Sequence, residues 1–97
     1  MSILMEVLKE ELDRLDRQQE AYERDLQELP KGYISKKNIR GKVCHYLQRR
    51  DGEKVVSKYI SADELPKLEV QVARRKQLEA SLRRVKEDQK KLRKVLK

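Results

Sequence analysis

YISKKNIRGKVCHYLQRRDGEKVVSKYI, residues 33–60, is the stretch that decides the fold. It is rich in Tyr, Val and Ile, and two turn signals divide it. Asp51-Gly52 is a preferred central pair for a two-residue type I′ hairpin, and Ile39-Arg40-Gly41 suits a three-residue turn with the glycine left-handed. The reading is a three-stranded antiparallel meander over residues 33–38, 42–50 and 53–60, in which 38 pairs with 42 and 50 with 53. Neighbours in a strand point to opposite faces. One face then gathers Tyr33, Val43, His45, Leu47, Val56 and Ile60, and the other gathers Ile34, Cys44, Tyr46, Val55 and Tyr59 with Lys36, Lys42 and Arg50. The first face has more aliphatic residues and is expected to meet a helix.

Outward from the meander, both flanks read as helices. Residues 1, 5, 8, 12, 15, 19, 22, 26 and 29 step by alternate fours and threes and are Met, Met, Leu, Leu, Leu, Gln, Tyr, Leu and Leu. That is a coiled-coil seam with one polar interruption, Gln19. Leu29-Pro30-Lys31-Gly32 ends it, because the residue before proline is pushed out of the α region and glycine frees the next dihedral. A second helix over residues 62–97 starts after Ser61, which forms a capping-box pattern with Glu64, and Pro66 falls in its first turns. Its apolar positions are Leu65, Leu68 and Val72, then Leu78, Leu82, Val85, Leu92 and Leu96. The three-plus-three step through 72, 75 and 78 is a stammer, which marks a change of packing partner.

The fold class expected is therefore α+β: a long antiparallel two-helix coiled-coil hairpin with a small three-stranded antiparallel β-meander inserted between the helices. The whole of residues 1–97 forms a single domain, with an acidic helix at 1–29, a basic meander at 33–60 and a basic helix at 62–97. Helix 2 must cross about 20 Å of sheet, or ~13 helical residues, before it reaches helix 1. That register sets Leu15 against Leu92, Tyr22 against Val85 and Gln19 against Gln89; a competing register sets Gln19 against Arg75. Heptads alone leave open whether the helices pair within or between chains. In the favoured register Ile3, Leu4, Met5, Val7 and Leu8 overhang as an exposed apolar tip, the expected interface of a homodimer or a partner protein.

Composition narrows the function classes. With 37% apolar and 43% charged residues in a chain of 97, a large globular core is out of reach. There is no run of eighteen apolar residues and no secretory pattern at the start, so the expectation is a cytoplasmic protein with no membrane role. The formal charge of +8 is unevenly spread. Residues 1–30 carry four Lys/Arg and nine Asp/Glu, residues 31–60 nine and two, and residues 61–97 twelve and six.

Cys44 and His45, the lone cysteine and the lone histidine, form the one conspicuous pair. Adjacent strand residues point apart, so they cannot ligate one ion or work as a nucleophile with its base. No metal, cofactor or catalytic residue is expected. The carboxylates of helix 1 lie among arginines on a solvated face, and three glycines form no phosphate-cradling loop. The basic sheet is the stronger signal. Lys36, Lys37, Arg40, Lys42, Arg49, Arg50, Lys54 and Lys58 concentrate charge on a ribbon able to enter a DNA groove or follow a backbone, with Tyr46 and Tyr59 placed to stack on unpaired bases. The expected function is non-enzymatic nucleic-acid binding, to DNA first. The alternative is a coiled-coil protein–protein interaction module with no nucleic-acid role.

The segments Leu29-Pro30-Lys31-Gly32, Gly41-Lys42, Tyr46-Leu47-Gln48, Gly52-Glu53-Lys54 and Ser57-Lys58-Tyr59-Ile60 resemble the pattern of a family of short uncharacterised bacterial proteins of unknown function. The resemblance covers most of the chain and implies the order helix, meander, helix. Where that family shows aromatic residues before Tyr46, this chain has Cys44 and His45. A basic three-stranded sheet packed on a helix also looks like the DNA-binding arm domains of tyrosine recombinases, a likeness of fold alone.

Overall fold

The computed structural model describes residues 2–97; the seam position expected at Met1 lies outside them. The order of elements is α1 (Ile3–Gln27), β1 (Tyr33–Ile39), β2 (Lys42–Asp51), β3 (Lys54–Ile60) and α2 (Leu65–Leu96). Two compact units result. One combines α1 with α2 from Gln77 onward, and the other is Leu29–Lys76. The division at Lys76 and Gln77 coincides with the stammer at 72, 75 and 78. A shift in the apolar stripe there lets one continuous helix serve two different neighbours.

In the helical unit α1 and α2 run antiparallel, and the seam is the one expected from Gln19 facing Gln89. The Gln89 side chain is only 2% exposed. Its Nε2 donates to Gln19 Oε1 at 2.9 Å and to Asp16 Oδ1 at 2.7 Å. Arg93 Nη2 reaches the same Asp16 oxygen at 3.2 Å. A buried amide must be hydrogen-bonded, and only this register provides the partners, so the polar layer fixes the alignment that leucines alone leave loose. Leu15, Leu78 and Val85 are buried along the helical unit, each contributing about 1.5–3 kcal/mol. The competing alignment of Gln19 with Arg75 is ruled out. Arg75 instead donates from Nη1 to the Leu29 carbonyl at 3.2 Å, within the sheet unit.

The helix ends differ from expectation by a few residues. α1 closes at Gln27 rather than 29, with Glu28 as C-cap donating its N–H to the Asp25 carbonyl at 3.2 Å. Pro30 then bars the α conformation at Leu29. α2 begins at Leu65 rather than 62. Ser61 still caps the entry, its Oγ accepting from the Glu64 N–H at 3.3 Å and its carbonyl accepting from the Leu65 N–H at 3.1 Å. Residues 62–64 form a turn before the regular helix.

The sheet has the order β1-β2-β3, with both pairs antiparallel. Its turns are not the expected ones. Ile39 pairs with Lys42 around a two-residue turn in which Arg40 (φ 52) and Gly41 (φ 81) are both left-handed, the type I′ pattern. Asp51 pairs with Lys54, so Gly52 (φ 65) and Glu53 are the central residues and only the first has positive φ. That is the type II′ pattern. The second change slides the pairing by two and preserves the faces. The first slides it by one and exchanges Tyr33 with Ile34.

Candidate nucleic-acid interface

Pairing partners share a face, so the two registers sort the sheet completely. The Tyr33–Gln48, Ser35–Tyr46, Lys37–Cys44 and Ile39–Lys42 pairs of β1 with β2 continue into Tyr46–Tyr59, Gln48–Ser57 and Arg50–Val55 of β2 with β3. The opposite face holds Ile34 beside Leu47, His45 beside Ile60 and Arg49 beside Val56. The first turns of α2 cover part of that second face. Ile60 is buried, and Leu47, Lys58 and Ile60 share a cleft of about 450 Å³ with Leu68 and Gln71. Ile34, Leu47 and Ile60 are thus the aliphatic side of the sheet, as the hydrophobic effect requires of the covered face.

The uncovered face is aromatic and basic. The Tyr46 and Tyr59 rings meet edge to face, with centroids 5.8 Å apart and planes at 73°. Lys37 Nζ stands 5.2 Å from the Tyr46 centroid, in cation–π range. Gln48 Nε2 donates to Ser57 Oγ at 3.1 Å, bracing β2 against β3. Tyr33 and Tyr59 are each 58% exposed. Lys37, Lys42 and Arg50 are this face's charged residues, and it carries no Asp or Glu.

The ten side chains expected to bind nucleic acid do not form one patch. Lys37, Lys42, Arg50, Tyr46 and Tyr59 share the open face. Lys36, Arg49, Lys54 and Lys58 stand on the other, where Lys58 lines the cleft against α2. Arg40 sits in the first turn, between the faces. The ladder offsets matter too. Residues 42–44 have no partner on β3 and residues 49–51 none on β1, so each hairpin tip is a two-stranded ribbon. One tip presents Lys37, Arg40 and Lys42, the other Arg49, Arg50 and Lys54. Among the described residues, none of the eight Lys and Arg of the sheet is ion-paired.

Tyr33 is the residue that sequence reasoning left off this face. The missed signal was amphipathic consistency: pairing Ile34 with Leu47 builds an aliphatic face, whereas pairing Tyr33 there does not. Cys44 and His45 are half-buried on opposite faces. In the helical unit Ile3, Leu4 and Val7 are 78%, 65% and 52% exposed. Met5 and Leu8, expected to be as exposed, are half-buried because they stand on the seam stripe of α1. Among the described residues no helix is long and apolar enough to cross a membrane.

A helix–sheet–helix α+β protein with an open aromatic and cationic sheet face is the class these features define. The chain belongs to the family described as Domain of unknown function (DUF6788), whose model matches residues 8–70. No curated protein and no solved structure matches the chain.

Proposed function

We propose that this protein binds nucleic acid, DNA first, through its basic three-stranded sheet and without catalysis. The observation that carries the reading is the uncompensated charge of the sheet. The acidic side chains of α1 lie in the helical unit and engage helical arginines such as Arg14 and Arg93. Within residues 31–60 only Asp51 and Glu53 are acidic, and Asp63 and Glu64 stand with Lys58 at the cleft on the covered face. A compact two- or three-stranded ribbon bearing such charge can enter a major groove or follow a backbone. The reading includes a cytoplasmic location, in keeping with the single free thiol of Cys44.

Fluorescence anisotropy with labelled duplex and single-stranded oligonucleotides tests it. Binding at about 50 mM salt should weaken steeply as salt rises, with a log–log slope near −4 for four to five duplex phosphate contacts. Arg49→Glu with Arg50→Glu should remove it. Absence of binding to either form at that salt refutes the proposal.

A second reading has its own observation, the apolar side chains Ile3, Leu4 and Val7 at the start of α1. These support a homodimer or a protein partner docked on the helical unit. Ile3→Asp with Val7→Asp should then abolish the complex, whereas charge reversal in the sheet should leave it intact.

A further inference from the structure

We infer that the ligand of the open sheet face is an unpaired nucleic-acid strand, whose bases stack on Tyr33 and Tyr59 while Lys37, Lys42 and Arg50 follow its phosphates. The inference rests on the nucleic-acid reading above and specifies the form of the ligand. Its basis is the register that carries Tyr33 across to the side of Tyr46 and Tyr59. One tyrosine then stands on each of three neighbouring strands.

The three rings have different duties. Tyr46, half-buried, has the Lys37 ammonium over its ring and packs edge to face with Tyr59. It is a positioning residue. Tyr33 and Tyr59 are the exposed ones. Tyr33 pairs with Gln48, two residues along β2 from Tyr46, so it lies on a diagonal about 7–8 Å from Tyr46, and Tyr59 lies directly opposite Tyr46 on the other side. Steps of that size suit bases splayed from a single strand. A duplex keeps its base faces stacked inside and offers these rings only backbone and groove edges. Sheets that present aromatic rings in this way hold two or three unpaired bases, and a π face on every base makes the contact tolerant of sequence.

Charge agrees with geometry. Cations flank the rings, and Arg40 extends the track at the first turn. An acidic peptide would value the cations yet have no use for two exposed rings. With three or four phosphates neutralised, the salt slope on a single strand should be about −2 to −3, shallower than for a duplex wrapped by both faces.

The experiment uses the intact protein, oligo(dT) and a mixed-sequence single strand of about twenty nucleotides, and the matching duplex. The chain has four tyrosines and no tryptophan, and the fourth, Tyr22, lines the helical seam. Intrinsic tyrosine emission therefore reports the sheet. Single strands should quench it and bind more tightly than duplex. Tyr33→Leu and Tyr59→Leu should each lower single-strand affinity about tenfold or more and leave duplex affinity unchanged. Lys42→Glu should weaken single-strand binding several-fold more than Lys54→Glu, on the other face, does. Equal affinity for the two forms with silent tyrosine substitutions overturns this inference and leaves nucleic-acid binding standing. No binding of either form overturns both.

Discussion

Replacing Gly32 by alanine should be far more damaging than the same change at the other turn glycines, and the cause can be separated from ordinary strain. Gly32 has φ +112, well beyond the left-handed well near +57° that an L-residue tolerates. Holding alanine there costs about 1–3 kcal/mol. The position is also crowded. An added Cβ would lie 3.0 Å from the Gln48 carbonyl carbon, 3.1 Å from Arg49 Cβ and closer still to the Gln48 oxygen, all on the central strand. Backbone of β2 cannot yield without disturbing both its ladders, so overpacking adds about 1–3 kcal/mol. The total, about 2–6 kcal/mol, is a large share of the roughly 5–15 kcal/mol that a chain of this size has in all. Gly52 supplies the control. Its φ is also positive, at 65, but no atom stands within 4 Å of an added Cβ, so Gly52→Ala should bear the backbone cost alone, about 1–3 kcal/mol, with no overpacking. Urea unfolding followed by tyrosine emission reads the sheet unit, and midpoints at unchanged m convert directly to free energy. Should Gly32→Ala fall within about 0.5 kcal/mol of Gly52→Ala, the close approach of residue 32 to β2 is refuted.

Four further outcomes are expected. Gln89→Ala should destabilise by about 1–3 kcal/mol by breaking up a buried hydrogen-bonded layer, whereas Gln19→Leu with Gln89→Leu should hold or raise the melting temperature while loosening the alignment. In a Cys44→Ser background, Leu15→Cys with Leu92→Cys should oxidise to a disulfide and Leu15→Cys with Glu79→Cys should not, as read by non-reducing gels. Arg40→Asn should stabilise by roughly 0.5–1 kcal/mol, since asparagine accepts the left-handed conformation that the first turn imposes. The Arg14 guanidinium, hydrogen-bonded to Glu11, holds that carboxyl below its ordinary range. Its stabilising contribution is present above the unfolded-state pKa and is lost as pH falls through the lowered value; Arg14→Met should move the Glu11 titration upward in a carboxyl-carbon NMR experiment.

Much of this architecture was legible because several signals agree. The seam of α1, the stammer of α2 and the amide at Gln89 all pointed to one helix alignment, and a buried polar side chain that needs partners leaves little freedom. Turn chemistry was less legible. Arg40-Gly41 and Asp51-Gly52-Glu53 contain the residues for more than one tight turn, and local propensity does not separate them. What separates them is the whole sheet: β1 takes the alignment that puts Ile34, not Tyr33, toward Leu47 and Ile60. A one-residue difference there moved a ring to the opposite side. The expected contact residues are therefore distributed differently from the sequence reading, and Tyr33 joins the open face. Eight cations read as one ribbon are two sets on two faces, because alternation divides neighbours such as Lys36 and Lys37 or Arg49 and Arg50.

The outer strands have a consequence for how copies of the chain meet. β1 and β3 leave backbone donors and acceptors unpaired along their outer sides, the usual starting point for joining sheets end to end into fibres. Here β1 carries Lys36 and Lys37, and β3 carries Lys54 and Lys58. A second copy adding to either strand would bring like-charged side chains within the roughly 8 Å over which physiological salt screens charge. The lysines of the outer strands thus act against the joining of sheets in concentrated solution, a protection that added salt should weaken.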